Sequence, residues 1–404
     1  MEMSGMSHKQ HYKIVIVGGG SAGITVAARL LRRSRDLVGN IAIIDPARKH
    51  YYQPLWTLVG AGEVSKEATE REQASIIPKG VAWVQDAVTE FWPNENAIVT
   101  ASGNQLNYDY LVVAAGIQID WDRVKGLKES MGKHGVCSNY SYDYVESTWD
   151  NIRNFKGGTA IFTNPNTPVK CGGAPQKIMY LADDYFRKSG IRSRSSITFA
   201  SGGATIFGVK KYADALQKVI ERKQIETRFK HNLIEIISEK KQAVFENLDT
   251  NDCVIMPYDM IHVVPPMSAP EIIKKSPLAS GDGWIDVDKF TLQHKRFGNV
   301  FGIGDCTNLP TSKTGAAIRK QGPVVVQNLL SLMSGKPIRN EYNGYTSCPL
   351  VTGYGKLILA EFDYELNPQE SFPFDQSRER LSMYLLKKDL LPVMYWKGML
   401  KGFM

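Results

Sequence analysis

The stretch Tyr12-Lys13-Ile14-Val15-Ile16-Val17-Gly18-Gly19-Gly20-Ser21-Ala22-Gly23 decides how this chain folds. A short run of β-branched residues that breaks at glycine reads as a buried strand. From Ile24 to Arg33 the pattern turns helical, so strand, G-x-G-x-x-G and helix follow one another directly. That order makes a dinucleotide-binding turn. Gly18 permits the tight turn, Gly20 lets the backbone approach a pyrophosphate, and Gly23 allows helix and strand to pack closely. Free N–H groups at the helix start attract the phosphate oxygens. A second strand, Ile41 to Ile44, ends in Asp45, 22 residues beyond Gly23. An acidic residue at about that spacing accepts the ribose hydroxyls.

Two later segments extend the pattern. Leu106-Asn107-Tyr108-Asp109-Tyr110-Leu111-Val112-Val113-Ala114-Ala115-Gly116 reads as a strand broken by a glycine turn. Val300-Phe301-Gly302-Ile303-Gly304-Asp305 reads as another, ending in a carboxylate. With the first turn, these resemble the three landmarks of the two-dinucleotide-binding-domain flavoprotein superfamily. The resemblance implies FAD rather than NAD at the first turn. It also implies that Gly116 passes near the flavin and that Asp305 bonds the ribityl chain.

Between residues 151 and 297 lies a further α/β region. Thr159-Ala160-Ile161-Phe162-Thr163 and Ser196-Ile197-Thr198-Phe199 read as strands, with Ala174 to Lys188 and Tyr212 to Arg222 as helices. Pyridine-nucleotide members of the superfamily carry a second glycine fingerprint after the first of these strands. Here the strand runs into Asn164-Pro165-Asn166-Thr167-Pro168 instead. Proline removes N–H donors and blocks a close backbone approach, so NADH and NADPH are not expected as donors.

The fold class expected is α/β: two tandem Rossmann-like domains with a C-terminal membrane-associating region. Residues 11–150 and 298–340 form the FAD-binding domain, 151–297 the second Rossmann-like domain, and 341–404 the C-terminal region. Composition agrees with a folded chain of this size: 404 residues, 43% apolar and 22% charged. The net charge of +8 favours anionic partners. Lys and Arg are dispersed, so nucleic acid is not expected among them. No apolar run of about 18 residues predicts a transmembrane helix. The first eleven residues are too short and polar for a secretion signal and lack the pattern of a transit peptide.

Five cysteines stand at 137, 171, 253, 306 and 348, with no C-x-x-C pair. Neither a zinc module nor a disulfide-stapled scaffold follows from that spacing, and no metal is expected. In a reducing compartment, any disulfide among them is catalytic rather than structural. Cys171 lies in Val169-Lys170-Cys171-Gly172-Gly173-Ala174-Pro175, at a helix start where the macrodipole favours thiolate. Lys170 and Lys177 push the same way if their ammonium groups approach the sulfur. Cys348 lies in Gly344-Tyr345-Thr346-Ser347-Cys348-Pro349-Leu350, which reads as a loop. A small buried filler is the competing reading for each. Cys306 reads as packing near the pyrophosphate, and Cys137 and Cys253 as structural.

The run from Val169 to Leu181, the run Tyr345-Thr346-Ser347-Cys348-Pro349-Leu350-Val351-Thr352-Gly353-Tyr354, and those at 207–216 and 305–314 resemble the mitochondrial sulfide:quinone oxidoreductase family. The similarity runs over nearly the whole chain. It implies a catalytic pair, Cys171 and Cys348, bridged directly or through an extra sulfur, with the persulfide on Cys348 and electron transfer to FAD from Cys171. It implies FAD contacts at Ser21, Ala22, Asp45, Gln53, Val88 and Lys313. Hydrogen sulfide and ubiquinone become the substrates, with glutathione, sulfite or a second sulfide taking the sulfane sulfur. The location implied is the mitochondrial inner membrane, peripheral or monotopic.

The C-terminal residues offer an anchor. Val393, Trp396, Leu400 and Phe403 recur at helical spacing with Lys397 and Lys401 beside them, and Pro392 separates them from a piece carrying Lys387 and Lys388. Such a stretch lies in a membrane interface without crossing it. Packing on the protein's own core, or a dimer contact, remains the other reading. Against the family pattern, a targeting sequence is expected to be absent or already removed, the residues after Phe403 to be fewer than usual, and the stretch Arg319-Lys320-Gln321-Gly322-Pro323 is more basic and contains a proline. Type II NADH dehydrogenase shares the architecture but needs a second glycine fingerprint and no cysteine pair. A redox-inactive FAD-binding scaffold would keep the landmarks and lose the pair.

Overall fold

The computed structural model describes residues 10–404, so the N-terminal segment read above lies almost wholly outside it. Strand His11–Val17 is exposed at His11 and Lys13 and continuously buried from Ile14 to Val17, as expected where a central parallel strand is covered on both faces. It pairs in parallel with Ile41–Ile44 on one side and with Gln105–Val113 on the other. Val81–Val84 extends the sheet beyond Ile41–Ile44.

The nine-residue strand Gln105–Val113 divides its free edge between two partners. Its first residues join an antiparallel meander with Ala97–Thr100 and Val88–Trp92. Its last residues pair in parallel with Val300–Gly302, which arrives from far along the chain. This closes the first sheet at seven strands and brings the Asp305 turn beside the Gly18 turn. Helix Ser21–Arg33 packs against helix Gly315–Met333 on one face of the sheet, with Gly322 against Thr25.

The second sheet is wholly parallel, in the order Val136–Cys137, Met260–His262, Gly158–Asn164, Ser195–Ser201 and Glu226–Phe229. Helices Lys177–Lys188 and Lys210–Lys223 accompany it. Helix Lys177–Lys188 therefore begins three residues later than Ala174, because Pro175 ends the loop rather than opening the helix. Asp183 inside it is fully buried and is neutralised by Arg187, Arg192 and Lys223 at 2.7–2.9 Å. This pins the two helices together. A three-stranded antiparallel sheet, His231–Ile237, Gln242–Asn247 and Cys253–Pro257, is appended.

Cys348 is not on a loop. It sits in strand Thr346–Gly353, which forms an antiparallel hairpin with Lys356–Phe362. Pro349 is tolerated there because a two-stranded ribbon leaves an edge without ladder bonds.

Beyond residue 380 the chain winds through short helical turns, several of them wider than an α-helix. Met383, Tyr384, Lys387, Tyr395, Met399 and Leu400 face the protein, whereas Leu381, Leu385, Leu390, Val393 and Phe403 are 46–64% exposed. The expected apolar face is thus only half right. Trp396 and Leu400 pack inward, and the outward apolar side is drawn from other leucines. No helix among the described residues is long and apolar enough to cross a membrane.

Candidate active site

One cavity of about 700 Å³ runs between the glycine turn, the Cys171 loop and the C-terminal segment. Of the residues singled out above, Gly20, Ser21, Ala22, Asp45, Gln53, Gly116, Cys171, Asp305 and Lys313 line it. Gly18 and Gly23 lie just beneath. Val88, buried at the start of strand Val88–Trp92, does not line the cavity wall.

The glycine turn fits a dinucleotide on geometry. Gly18 has φ +105°, and a Cβ there would meet the Ala114 carbonyl oxygen at 2.4 Å. A Cβ on Gly23 would meet the Gly18 oxygen at 1.9 Å, so the helix can approach the strand only without a side chain. Nothing lies within 4 Å of where a Gly20 Cβ would stand, which leaves the backbone open to the cavity. No side chain caps the helix that follows, so its first N–H groups are free for an anion. Asp45 accepts the Gly19 N–H at 2.5 Å and the Ala47 N–H at 2.7 Å. Burial pushes its carboxyl up despite those two bonds.

At the other end of the dinucleotide cleft, Lys313 donates to the Asp305 and Thr307 carbonyls at 2.7 and 2.8 Å and lies 3.9 Å from the Trp284 ring centroid. Burial lowers its ammonium pKa and raises that of the Asp305 carboxyl. Lys170 does not approach the Cys171 sulfur as expected. Its ammonium turns to Gln53 Oε1 at 2.7 Å and the Tyr140 carbonyl at 3.3 Å. Burial brings its pKa down to about 8.

Cys171 Sγ stands 3.8 Å from Cys348 Sγ. Cys171 has φ +57°, a left-handed conformation rare for a side-chain-bearing residue, and its N–H donates to the Lys313 carbonyl at 2.7 Å. Gly173 completes the geometry. A Cβ there would meet Leu350 Cδ2 at 2.4 Å and Cys348 Cβ at 3.3 Å. Helix Lys177–Lys188 starts six residues beyond Cys171, so the expected macrodipole contribution gives way to side chains. The Cys348 thiol donates to Cys171, and Lys177, whose Nζ is 3.4 Å away, adds charge together with Lys387. These hold the Cys171 thiol well below its usual pKa against the opposing effect of burial. Cys348, hydrogen-bonded to Cys171 and fully buried, is pushed well up. Cys306 and Cys137 are buried, with thiols raised to about 11 and about 12, and Cys253 is exposed on a strand away from the cavity.

Sequence reasoning did not find two site residues. Lys387, read as a surface charge beside a membrane helix, is 3% exposed, donates to the Pro54 carbonyl at 2.8 Å, and has its pKa lowered to about 7 by burial and by Lys177. Tyr395 inserts its hydroxyl between Ser21 Oγ, at 2.6 Å, and His50 Nε2. The C-terminal segment therefore docks on the glycine turn itself. Burial takes the His50 imidazole down to about 4, so it is neutral there.

The cysteine hairpin separates two environments. Its register pairs Cys348 with Ala360, Ser347 with Glu361 and Pro349 with Leu359. Alternation puts Cys348 on one face and Ser347, Pro349, Leu359 and Glu361 on the other, and these four line the same large cavity.

A pair of adjacent cysteines, one of them lining the cavity that the dinucleotide turn also lines, is the arrangement of the disulphide-oxidoreductase class of two-domain flavoproteins. Residues 12–145 match the family model for pyridine nucleotide-disulphide oxidoreductases. The mitochondrial sulfide:quinone oxidoreductases of Mus musculus and Dictyostelium discoideum are each 53% identical to this chain, over 98% and 96% of it and 88% and 86% of their own lengths. The chain belongs to the sulfide:quinone oxidoreductase family. The crystal structure of the sulfide:quinone oxidoreductase of Aquifex aeolicus, 19% identical, shares the fold with a TM-score of 0.83 over 98% of this chain and 92% of that one.

Proposed function

We propose that this protein oxidises hydrogen sulfide and reduces ubiquinone, with FAD in the cavity between the glycine turn and the cysteines. Family membership supports the reaction, and the Cys171–Cys348 separation of 3.8 Å is the observation that carries its chemistry. The FAD reading rests on the open Gly20 backbone, the uncapped helix start and Asp45. When bound, FAD takes an electron pair on the sulfur side and releases it to a quinone.

In the oxidised resting form the two cysteines are bridged, directly or through an extra sulfur. Hydrosulfide attacks the Cys348 sulfur, so a new S–S bond forms there as the bond to Cys171 breaks. The attack is directed by the leaving group, because the thiol of lower pKa departs faster, and Cys171 is that thiol. Lys177 and Lys387 stabilise the thiolate released and attract the incoming anion. Buried Cys348 keeps the sulfane sulfur away from bulk water. A small nucleophile (glutathione, sulfite or a second sulfide) then takes that sulfur, and the two cysteine thiols close the bridge again by giving up two protons and the two electrons that FAD would accept. Net, sulfide sulfur loses two electrons and the quinone gains two electrons and two protons.

The proline loop 164–168 speaks against NADH as the donor. Asn166 packs where a Gly202 side chain would stand, 2.5 Å from its Cβ position, and its N–H donates to Asn232 Oδ1 at 3.0 Å. The relatives are named mitochondrial, and the outward leucines of the C-terminal segment suit attachment to the inner-membrane surface there. Anaerobic addition of sulfide should bleach the flavin absorbance of the FAD-loaded protein, and NADH should not. Bleaching by NADH alone would sink the assignment.

A further inference from the structure

On the far face of the cysteine hairpin, three side chains form a hydrogen-bonded file that the sulfur chemistry leaves unused. Ser371 is at the surface, and its hydroxyl donates to Glu361 Oε1 at 3.0 Å. The Tyr345 hydroxyl donates to the same oxygen. The other carboxylate oxygen is held by two fixed amide donors, the Ser371 N–H and Gln376 Nε2, each at 2.8 Å. Glu361 is 4% exposed and Tyr345 7%, and both line the large cavity.

All four of these donors are neutral, although burying a carboxylate costs least beside a cation. Hairpin stability alone does not call for such a residue, since an apolar side chain would pack there at lower cost. The division of labour within the carboxylate is also informative. Oε2 is saturated by N–H groups that cannot release a proton, whereas Oε1 lies between two hydroxyls that can exchange one. Of the two residues that carry them, Ser371 is exposed to solvent and Tyr345 lines the cavity. Around that end of the cavity Ala316, Ile318, Pro349, Leu359 and Phe372 supply apolar walls suited to a flat, weakly polar ring.

We propose that Ser371, Glu361 and Tyr345 deliver protons to the quinone, with Tyr345 as the residue that meets the quinone oxygen. This rests on the quinone reading above. The quinone gains two electrons from the sulfide half of the reaction, and each of its oxygens gains one proton. As an O–H bond forms on the quinone, the Tyr345 O–H bond breaks. A proton from water passes by way of the Ser371 hydroxyl to Glu361 Oε1, which hands it on to the Tyr345 oxygen and is again a carboxylate. No further oxidant or reductant is required.

The test compares two acceptors on the FAD-loaded protein reduced with sulfide: a short-chain ubiquinone, which takes up protons, and ferricyanide, which does not. In Tyr345→Phe and Glu361→Gln the ratio of ubiquinone to ferricyanide reoxidation rates should fall at least about 100-fold. A ratio within about threefold of wild type in both variants overturns the proposal. So does an equal slowing with both acceptors, which would mark a structural role. Loss of ubiquinone binding, read from flavin fluorescence quenching, would reduce the pair to a binding element and likewise overturn it. Wild-type protein bleached by sulfide yet never reoxidised by ubiquinone would instead sink the quinone reading, and this inference with it.

Discussion

Cys171 and Cys348 are polarised against each other: the hydrogen bond between the two thiols, 3.8 Å apart, holds the pKa of Cys171 down and pushes that of Cys348 up. The asymmetry comes from placement. Cys171 faces the cavity beside Lys177 and Lys387, while Cys348 is enclosed in a hairpin. A symmetric pair would give hydrosulfide two equivalent targets. On the proposed mechanism this pair gives it one, because Cys171 is the thiol of lower pKa and so the better leaving group.

Removing the donor should show the effect directly. In reduced Cys348→Ala protein the Cys171 thiol loses the largest cause of its lowered pKa. The pH midpoint for alkylation of Cys171 by iodoacetamide should therefore move up. Lys177→Met should move it in the same direction, because the ammonium 3.4 Å from the sulfur no longer favours the thiolate. An unchanged midpoint in both variants would mean that the Cys171 environment has been misassigned.

Lys387 offers a pH test with a definite sign. Its folded-state pKa is lowered to about 7 from the ordinary value of 10.5. Between those values the unfolded chain holds a proton that the folded chain does not, so stability rises with pH across that window. Below about pH 7 both states are protonated and the burial penalty is present in full. The difference in thermal midpoint, Lys387→Met minus wild type, should therefore be largest below pH 7 and shrink toward pH 10. A difference that is flat with pH would place the charge outside the protein interior.

The parts of this site that were legible in the sequence are local ones. Tyr12 to Gly23 announces strand, turn and helix because the backbone demands at Gly18 and Gly23 are met within a dozen residues. Cys171 is followed by two glycines, and the tight approach of Leu350 makes the second of them, Gly173, necessary. Cys348 looked like a loop because Thr346-Ser347-Cys348-Pro349 has no apolar alternation, and its strand depends on a partner ten or more residues away. Lys387 and Leu400 were misoriented for a different reason. Turns wider than an α-helix advance the face at each step, so a 3.6-residue period drifts off the true one. Lys170 could not be aimed from sequence at all, since its partner Gln53 is 117 residues away.

Gly173 should be intolerant of even one methyl group. In Gly173→Ala the added carbon would stand 2.4 Å from Leu350 Cδ2 and 3.3 Å from Cys348 Cβ, so the cysteine strand must shift. Overpacking of this kind costs about 1–3 kcal/mol. Displacement of one sulfur should slow flavin bleaching by sulfide at least about tenfold. The glycine turn is remote from this change, so the flavin-to-protein ratio should stay at the wild-type value. Normal bleaching would show that the hairpin absorbs the methyl without moving Cys348.

The outward side of the C-terminal segment can be tested apart from its inward side. Leu385, Leu390, Val393 and Phe403 are each at least 46% exposed, and Lys397 and Lys401 are exposed among them. Inward Tyr395 and Lys387 hold the segment to the glycine turn and to Pro54, so serine substitutions on the outer row should leave docking intact. Each of these side chains contributes about 1 kcal/mol or more if it enters an apolar phase. Flotation of the quadruple serine variant with phospholipid vesicles should therefore fall at least about tenfold, a loss of only 1.4 kcal/mol. Attachment of the wild type to anionic vesicles should weaken with salt, because the two lysines act through a screened field. If flotation is unchanged while the sedimentation coefficient drops, the row is a dimer contact and the membrane reading falls.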